Sequence, residues 1–240
     1  METASNVPLS VVLVHGLWGN PGDWQWVARL LEDKGVSVLC PDLPSHRLEG
    51  TGLLDDVEAV KTAIVGCQGP TVVAGWSYGC DVVGIAAHGM GNVARLVYVS
   101  SVPQPVQHAQ RHATTYDGNP VILWKDQDRF VLNDHWWVYE EKGRTFPAEV
   151  RRHIEANPRR TVTRRTLSDP IPAAAWVNTP VTVLLGTRDE LISAERRAWA
   201  KENISDVRDV DDDHFILFNS PGLLADVIME EETINRMRKP

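Results

Sequence analysis

The stretch TVVAGWSYGCDVVGIAAHG, residues 71–89, joins a continuous apolar run to a segment with helical spacing through Gly-x-Ser-x-Gly. The run TVVAG is typical of a strand buried on both faces, and YGCDVVGIAAHG has a helix pattern. A serine at such a strand–turn–helix junction occupies the setting of a nucleophile elbow. Gly75 and Gly79 would permit the tight turn that lifts the Ser77 hydroxyl clear of the sheet. In the alternative interpretation, Ser77 only caps the helix.

Strand and helix patterns alternate through most of the 240 residues. Five further apolar runs have the strand pattern, the last being the weakest: 9–16, 36–44, 93–101, 179–186 and 206–210. Helical patterns occupy 23–35, 53–66, 193–203 and 222–237. Strands that alternate with helices form parallel sheets with right-handed crossovers. We therefore predict an α/β fold, with a mainly parallel sheet of about six strands and helices on both faces.

The alternation stops between residues 103 and 178. This stretch is too long for a simple loop and too aromatic for a disordered linker. We predict that it forms an inserted helical cap within a single domain spanning residues 1–240. Trp136 and Trp137 lie in this cap and would form either the roof of a pocket or the core of the cap.

The charge balance and cysteine content narrow the class of protein. With 24 basic and 32 acidic residues, the net charge of -8 disfavours nucleic acid or an anionic membrane as a partner. The first residues lack the features of a secretory signal, and no apolar run has transmembrane length. Cys40, Cys67 and Cys80 are odd in number, which favours reduced thiols and a cytoplasmic location.

Catalysis by a serine requires a base, and the base requires a carboxylate that orients it. In the fold with a Gly-x-Ser-x-Gly elbow, the chain order is serine, acid, histidine. Asp189 comes three residues after the apolar run VTVLLG, and His214 lies in the late segment DDDHFILFNSP. Each has another interpretation alone, Asp189 as a helix cap and His214 as a surface residue. Glu190 and Asp213 are weaker candidates for the acid.

The developing oxyanion needs two backbone amides. One would come from Tyr78, directly after the serine, and the other from Leu17 in the loop after the first strand. Gly16 would let that loop turn its amide toward the site, and His15 is interpreted as a structural residue. Five aromatic residues are predicted to line the substrate pocket: Trp18, Trp76, Trp136, Trp137 and Phe215.

Two other patterns are interpreted as structural. His108 and His112 stand four residues apart, but no third ligand follows at a suitable spacing, so we predict no metal. The segment RRHIEANPRRTVTRR, residues 151–165, is strongly basic. Its acidic neighbours and the overall charge favour a solvated face of the cap over a nucleic-acid surface.

Several motifs together resemble the α/β-hydrolase superfamily: VVLVHG, PDLPSH, GWSYG, LVYVSSVP, LLGTRDE and DHFILFNSP. The resemblance is strongest to the small branch of plant-type methylesterases and hydroxynitrile lyases. It covers residues 9–105 and 177–230. The lyases of that branch have threonine and lysine where this chain has Gly16 and Phe215, so the resemblance implies an esterase rather than a lyase.

These observations predict a serine hydrolase that uses Ser77, His214 and Asp189 without a metal or a cofactor. Its substrate would be a small-to-medium apolar ester or lactone, and the aromatic residues favour a flat one. Two alternatives stay open. The same triad serves other acyl or carbon–carbon bond hydrolases and perhydrolases. Some members of the superfamily resemble small-molecule receptors with little turnover.

Overall fold

A computed structural model of the protein describes residues 9–109, 118, 121–133 and 146–230. In chain order, the strands of these residues are β1 (Ser10–Val14), β2 (Ser37–Leu39), β3 (Thr71–Trp76), β4 (Val93–Val99), β5 (Ile122–Trp124), β6 (Arg129–Leu132), β7 (Val162–Thr163), β8 (Val181–Gly186) and β9 (Asp206–Val210). Six of them form one sheet in the order β2-β1-β3-β4-β8-β9, and every neighbouring pair is parallel. The predicted parallel sheet of about six strands is confirmed.

The α-helices of the described residues are α1 (Gln25–Glu32), α2 (Leu53–Gly66), α3 (Tyr78–Ala86), α4 (Ala148–Ala156), α5 (Arg165–Ser168), α6 (Ala194–Asn203), α7 (Ile216–Asn219) and α8 (Pro221–Ile228). None of them is long and apolar enough to cross a membrane.

Strand β1 shows why helices cover both faces of the sheet. All five of its residues are buried, and the four apolar ones alternate between two hydrophobic clusters. Val12 and Val14 pack in one cluster with residues of α2 and α3. Val11 and Leu13 pack in the other with residues of α1, α7 and α8. A strand buried on both faces needs apolar side chains in both directions, which explains the continuous apolar run.

The order of the strands defines where a site can form. The chain passes from β1 outward to β2, and then crosses to the other side of β1 to form β3. The loops that follow β1 and β3 therefore leave the sheet in opposite directions. Open parallel sheets bind their ligands at such a switch point, beyond the carboxyl ends of the strands.

The inserted region is not purely helical, and this part of the prediction is corrected. Strands β5, β6 and β7 form a small antiparallel sheet, accompanied by helices α4 and α5. In β6, Phe130 and Leu132 are buried and the residues preceding each are not, which is the alternation of a half-buried strand. Phe130 packs with Val162 and Leu167 in a separate hydrophobic cluster. Trp136 and Trp137 lie outside the described residues.

Candidate active site

Ser77 occupies a strained turn between β3 and α3. Its φ of 54° and ψ of -119° define a backbone conformation that residues other than glycine rarely adopt. Glycine is needed on both sides, because a Cβ on Gly75 would lie 2.6 Å from the Gly79 carbonyl carbon. A Cβ on Gly79 would lie 2.7 Å from the His15 carbonyl oxygen. The turn therefore has the geometry of an elbow, and Ser77 is only partly buried although its neighbours in sequence are buried.

The side chains of Ser77, His214 and Asp189 form one hydrogen-bonded chain. His214 Nε2 lies 3.0 Å from Ser77 Oγ, and His214 Nδ1 lies 2.9 Å from Asp189 Oδ2. A carboxylate only accepts hydrogen bonds, so Nδ1 carries the proton and Nε2 is left to accept from the serine hydroxyl. The structure thus brings together the three residues predicted from the sequence and leaves Nε2 of the imidazole facing the serine hydroxyl as an acceptor.

Asp189 is held by its own loop. Its Oδ1 accepts a hydrogen bond from the Leu191 amide at 2.9 Å. The Arg197 guanidinium of α6 donates to the carbonyl oxygens of Gly186 and Asp189, at 2.7 and 2.9 Å. Of the weaker candidates for the acid, Glu190 is exposed, and the Asp213 carboxylate accepts from the Phe215 amide at 2.8 Å.

A tryptophan in the core holds the loop that carries His214 through a hydrogen bond. The Trp76 Nε1–H donates to the His214 carbonyl oxygen at 2.8 Å. Trp76 is 3% exposed and Phe215 is 1% exposed, and both belong to the core cluster beneath the site. They were predicted to line the pocket, but side chains so deeply packed offer a ligand almost no surface. Their position instead makes them supports of the histidine loop.

The two amides predicted to bind the oxyanion are available. Tyr78 is the first residue of α3, where the amide has no acceptor within the helix. Neither its amide nor that of Leu17 donates a hydrogen bond to any residue of the described segments. The N-terminal end of α3 also carries a partial positive charge toward Ser77.

His15 has a structural role, as interpreted from the sequence. Its Nε2 accepts from the Leu43 amide at 3.3 Å, so the proton is on Nδ1, which donates to the Gly16 carbonyl oxygen at 3.0 Å. The ring is fully buried. His15 therefore shapes the loop after β1 and is not placed to act as a base.

A second buried network lies behind Tyr78. The Tyr78 hydroxyl and the Ser45 hydroxyl both donate to Asp56 Oδ2 at 2.6 Å, and the Ser45 amide donates to Oδ1 at 2.8 Å. Burial raises the pKa of Asp56, although these hydrogen bonds oppose the rise. Burial and the adjacent Asp56 raise the pKa of Tyr78 well above its ordinary value. The phenol thus stays protonated and fixes the start of α3.

Sequence interpretation missed the role of two arginines. Arg159 donates to the buried Asp23 carboxylate at 3.0 Å. Burial would raise the pKa of Asp23, but the Arg159 charge and the other contacts of the carboxylate lower it. Arg160 contacts Gly19 and Asp42. The prediction of a solvated basic face is therefore wrong at these two positions. The sequence indicated these roles only through an arginine pair in the cap of an acidic protein. The residues that the two arginines contact lie more than a hundred positions earlier in the chain.

The remaining predicted residues fall near the site or outside the described segments. Trp18 is a partly buried residue of the loop after β1, with its ring edge-on to Phe130 at 5.9 Å between centroids. Within the residues the structure describes, no three potential metal ligands come together. His112 lies outside them, so the histidine pair at 108 and 112 is not described.

The comparisons agree with this architecture. Comparison with curated proteins finds no significant match. Similar solved structures include a pyrethroid hydrolase from Sphingobium faniae JZ-2, with 17% identity, a TM-score of 0.71 and coverage of 92% of this chain and 96% of that chain. A methylesterase from Arabidopsis has 17% identity, a TM-score of 0.71 and coverage of 94% and 99%, respectively. Polyneuridine aldehyde esterase has 15% identity, a TM-score of 0.74 and the same coverages, 94% and 99%.

At these identities the similar structures establish the fold. A family model described as "Alpha/beta hydrolase family" matches residues 11–227, which is most of the chain. The resemblance found in the sequence motifs is thereby confirmed: the chain belongs to the alpha/beta hydrolase family.

Proposed function

We propose that this protein is a serine hydrolase that cleaves a small-to-medium, mainly apolar carboxylic ester or lactone through an acyl-enzyme intermediate. The observation that carries the proposal is the continuous chain from Ser77 Oγ through His214 to Asp189, with contacts of 3.0 and 2.9 Å. Side chains and amides of the protein supply every proton transfer and charge contact that this reaction needs. The proposed chemistry therefore involves no metal or cofactor.

In the proposed mechanism, Ser77 Oγ attacks the carbonyl carbon while His214 Nε2 takes its proton. The carbonyl oxygen becomes an oxyanion that accepts hydrogen bonds from the Leu17 and Tyr78 amides. His214 then protonates the leaving alcohol, and Asp189 stabilises the imidazolium in the meantime. Water, deprotonated by His214, attacks the acyl-enzyme, and the carboxylic acid leaves as the serine recovers its proton.

The substrate class is supported by the surroundings of the site and by the similar structures. Trp18 follows Leu17 in the chain and is only partly buried, so its aromatic ring could contact a flat apolar group. Two of the similar structures are named as esterases and one as a pyrethroid hydrolase.

We place the activity in the cytoplasm, since Cys40, Cys67 and Cys80 are all free thiols.

Steady-state hydrolysis of p-nitrophenyl acetate tests the proposal. We expect turnover by the wild type and a loss of at least about 1,000-fold in kcat for Ser77→Ala, because the nucleophile is removed. Ser100→Ala is a matched control. Ser100 has the same φ of 54°, is buried, and its hydroxyl has no hydrogen-bond partner among the described residues. We expect that variant to stay within a few-fold of wild type.

Two results would contradict the assignment: undiminished turnover by Ser77→Ala, or no turnover by a wild type that binds small aromatic esters tightly. The second would favour a receptor. A panel of aryl esters, lactones and thioesters, compared by kcat/KM, would then define the preferred bond.

A further inference from the structure

Arg160 lies in the cap, between α4 and β7, yet it contacts the loop that follows β1. Its Nε donates to the Gly19 carbonyl oxygen at 2.7 Å, and its Nη2 donates to the same oxygen. Its backbone amide donates to the Trp18 carbonyl oxygen at 3.0 Å. One cap residue thus holds two consecutive carbonyls of a loop about 140 residues earlier in the chain.

The contacted loop contains a tight turn over residues 16–19. The Gly16 carbonyl oxygen accepts from the Gly19 amide at 3.1 Å and from His15 Nδ1 at 3.0 Å. In a trans peptide, the carbonyl and the following amide point in opposite directions. Because the Gly16 carbonyl faces these two donors, the Leu17 N–H must face away from them. The turn therefore determines where the Leu17 amide points.

This turn needs support from outside itself. Trp18, its third residue, has a φ of 63°, a conformation that favours glycine or asparagine over tryptophan. A strained residue keeps such a conformation only when surrounding contacts hold it. The contacts of Arg160 to the Trp18 and Gly19 carbonyls lie directly at the strained position.

Arg160 is itself fixed by charge. Its Nη1 donates to Asp42 Oδ1 at 2.8 Å, just beyond β2. Burial would raise the pKa of Asp42, but the neighbouring His15 ring and the hydrogen bond and charge of Arg160 outweigh it and lower that pKa to about 2. The carboxylate therefore stays charged at any working pH. The guanidinium is held between this charge and the Gly19 carbonyl.

We propose that Arg160 is a positioning residue that holds the 16–19 turn, and with it the Leu17 amide, in the orientation that binds the oxyanion. This inference rests on the proposed function. It makes the cap part of the catalytic machinery, because the oxyanion site is complete only while the segment carrying Arg160 is docked.

The competing interpretation is that Arg160 merely ties the cap to the body of the protein. Arg165 provides a matched control, because its guanidinium also binds a backbone carbonyl and a carboxylate, at a different place in the structure. It donates to the Gly50 carbonyl oxygen at 2.6 Å and to the Asp169 carboxylate at 3.2 Å, and does not contact the 16–19 turn.

The experiment compares Arg160→Gln, Arg160→Lys and Arg165→Gln with wild type. It measures kcat/KM for p-nitrophenyl acetate, the Ki of trifluoroacetophenone, and the thermal unfolding midpoint. The ketone reports on the oxyanion site, because addition of Ser77 Oγ to its carbonyl forms a tetrahedral alkoxide there. For Arg160→Gln, we expect kcat/KM to fall and Ki to rise in parallel, each by about 10- to 100-fold. We expect Arg165→Gln to change both by less than threefold.

Arg160→Lys keeps the charge and its pairing with Asp42, and so protects the test against simple misfolding. A lysine cannot place two N–H groups on Gly19 in the fixed geometry of a guanidinium. We expect a folded variant whose Ki still rises at least fivefold. A wild-type Ki in Arg160→Lys and Arg160→Gln would overturn the role of Arg160, as would equal losses in Arg160→Gln and Arg165→Gln. A wild-type protein that neither turns over the ester nor binds the ketone would overturn the proposed function as well.

Discussion

Replacement of Trp76 by phenylalanine tests whether the residue before the serine positions His214, the proposed catalytic base. The change removes the indole N–H that donates to the His214 carbonyl oxygen at 2.8 Å. A buried carbonyl left without its donor costs about 1–3 kcal/mol of stability. The smaller ring also leaves a cavity and loosens the packing on the loop after β1, where a Cβ on Gly16 would lie 2.7 Å from Trp76 Cε3.

Trp24→Phe isolates the hydrogen bond from the loss of ring volume. Trp24 is fully buried in the same core cluster, but its Nε1 has no hydrogen-bond partner among the described residues. In urea unfolding, we expect Trp76→Phe to be less stable than Trp24→Phe by about 1–3 kcal/mol. We also expect kcat/KM for p-nitrophenyl acetate to fall about 10- to 100-fold in Trp76→Phe alone, because a small displacement of the base is costly. Equal stability of the two variants, with wild-type turnover in Trp76→Phe, would refute the reasoning.

Two further predictions concern the supports of the site. A Cβ on Gly186 would overlap the Asp213 carbonyl oxygen, so Gly186→Ala should separate the loops that carry Asp189 and His214 and lower kcat at least tenfold. Gly66→Ala is the control, because a Cβ on Gly66 would have no atom within 4 Å, and its kcat should not change. Equal kcat values for the two variants would contradict this reasoning. His46 is buried, with its ring edge-on to the His15 ring at 4.7 Å between centroids. Burial, and then the adjacent His15 and Arg160, lower the pKa of His46 well below 6.5. Below that pH, the unfolded chain therefore binds more protons than the folded protein. The free energy of unfolding should therefore fall by up to about 1.4 kcal/mol per pH unit as pH drops below about 6.5. Urea titrations from pH 7.5 to 5.5 should show a shallower fall in His46→Gln, and an unchanged slope would contradict the assignment.

Local patterns were sufficient to predict the sheet. Even the weakest predicted strand, 206–210, is present as β9 over the same residues. Strands β1, β3, β4 and β8 are almost entirely buried, so their apolar composition alone indicates their environment. The order of Ser77, Asp189 and His214 along the chain likewise follows from the topology, because each residue comes just after a strand of the same sheet.

The cap and the supporting contacts could not be predicted in the same way. Strand β5 has three residues and β7 has two, which is too short for an alternating pattern to be recognised. Strand β7 also depends on a distant partner, since Thr163 pairs with Arg129. The orientation of Trp76 could not be predicted from the sequence either, because a tryptophan beside a nucleophile is equally compatible with a pocket and with the core. Only the position of His214, 138 residues later, decides between them.

The supports of the site share a chemical feature that limits how they can be tested. Trp76 donates to the carbonyl of His214, Arg197 to that of Asp189, and Arg160 to that of Gly19. In each case the acceptor is a backbone atom, which no substitution at its own position can remove. A scan of the accepting residues would therefore miss these contacts. Substitution of the donors, with partners of equal size or charge elsewhere in the chain as controls, is the direct way to measure what holds the triad and the oxyanion turn together.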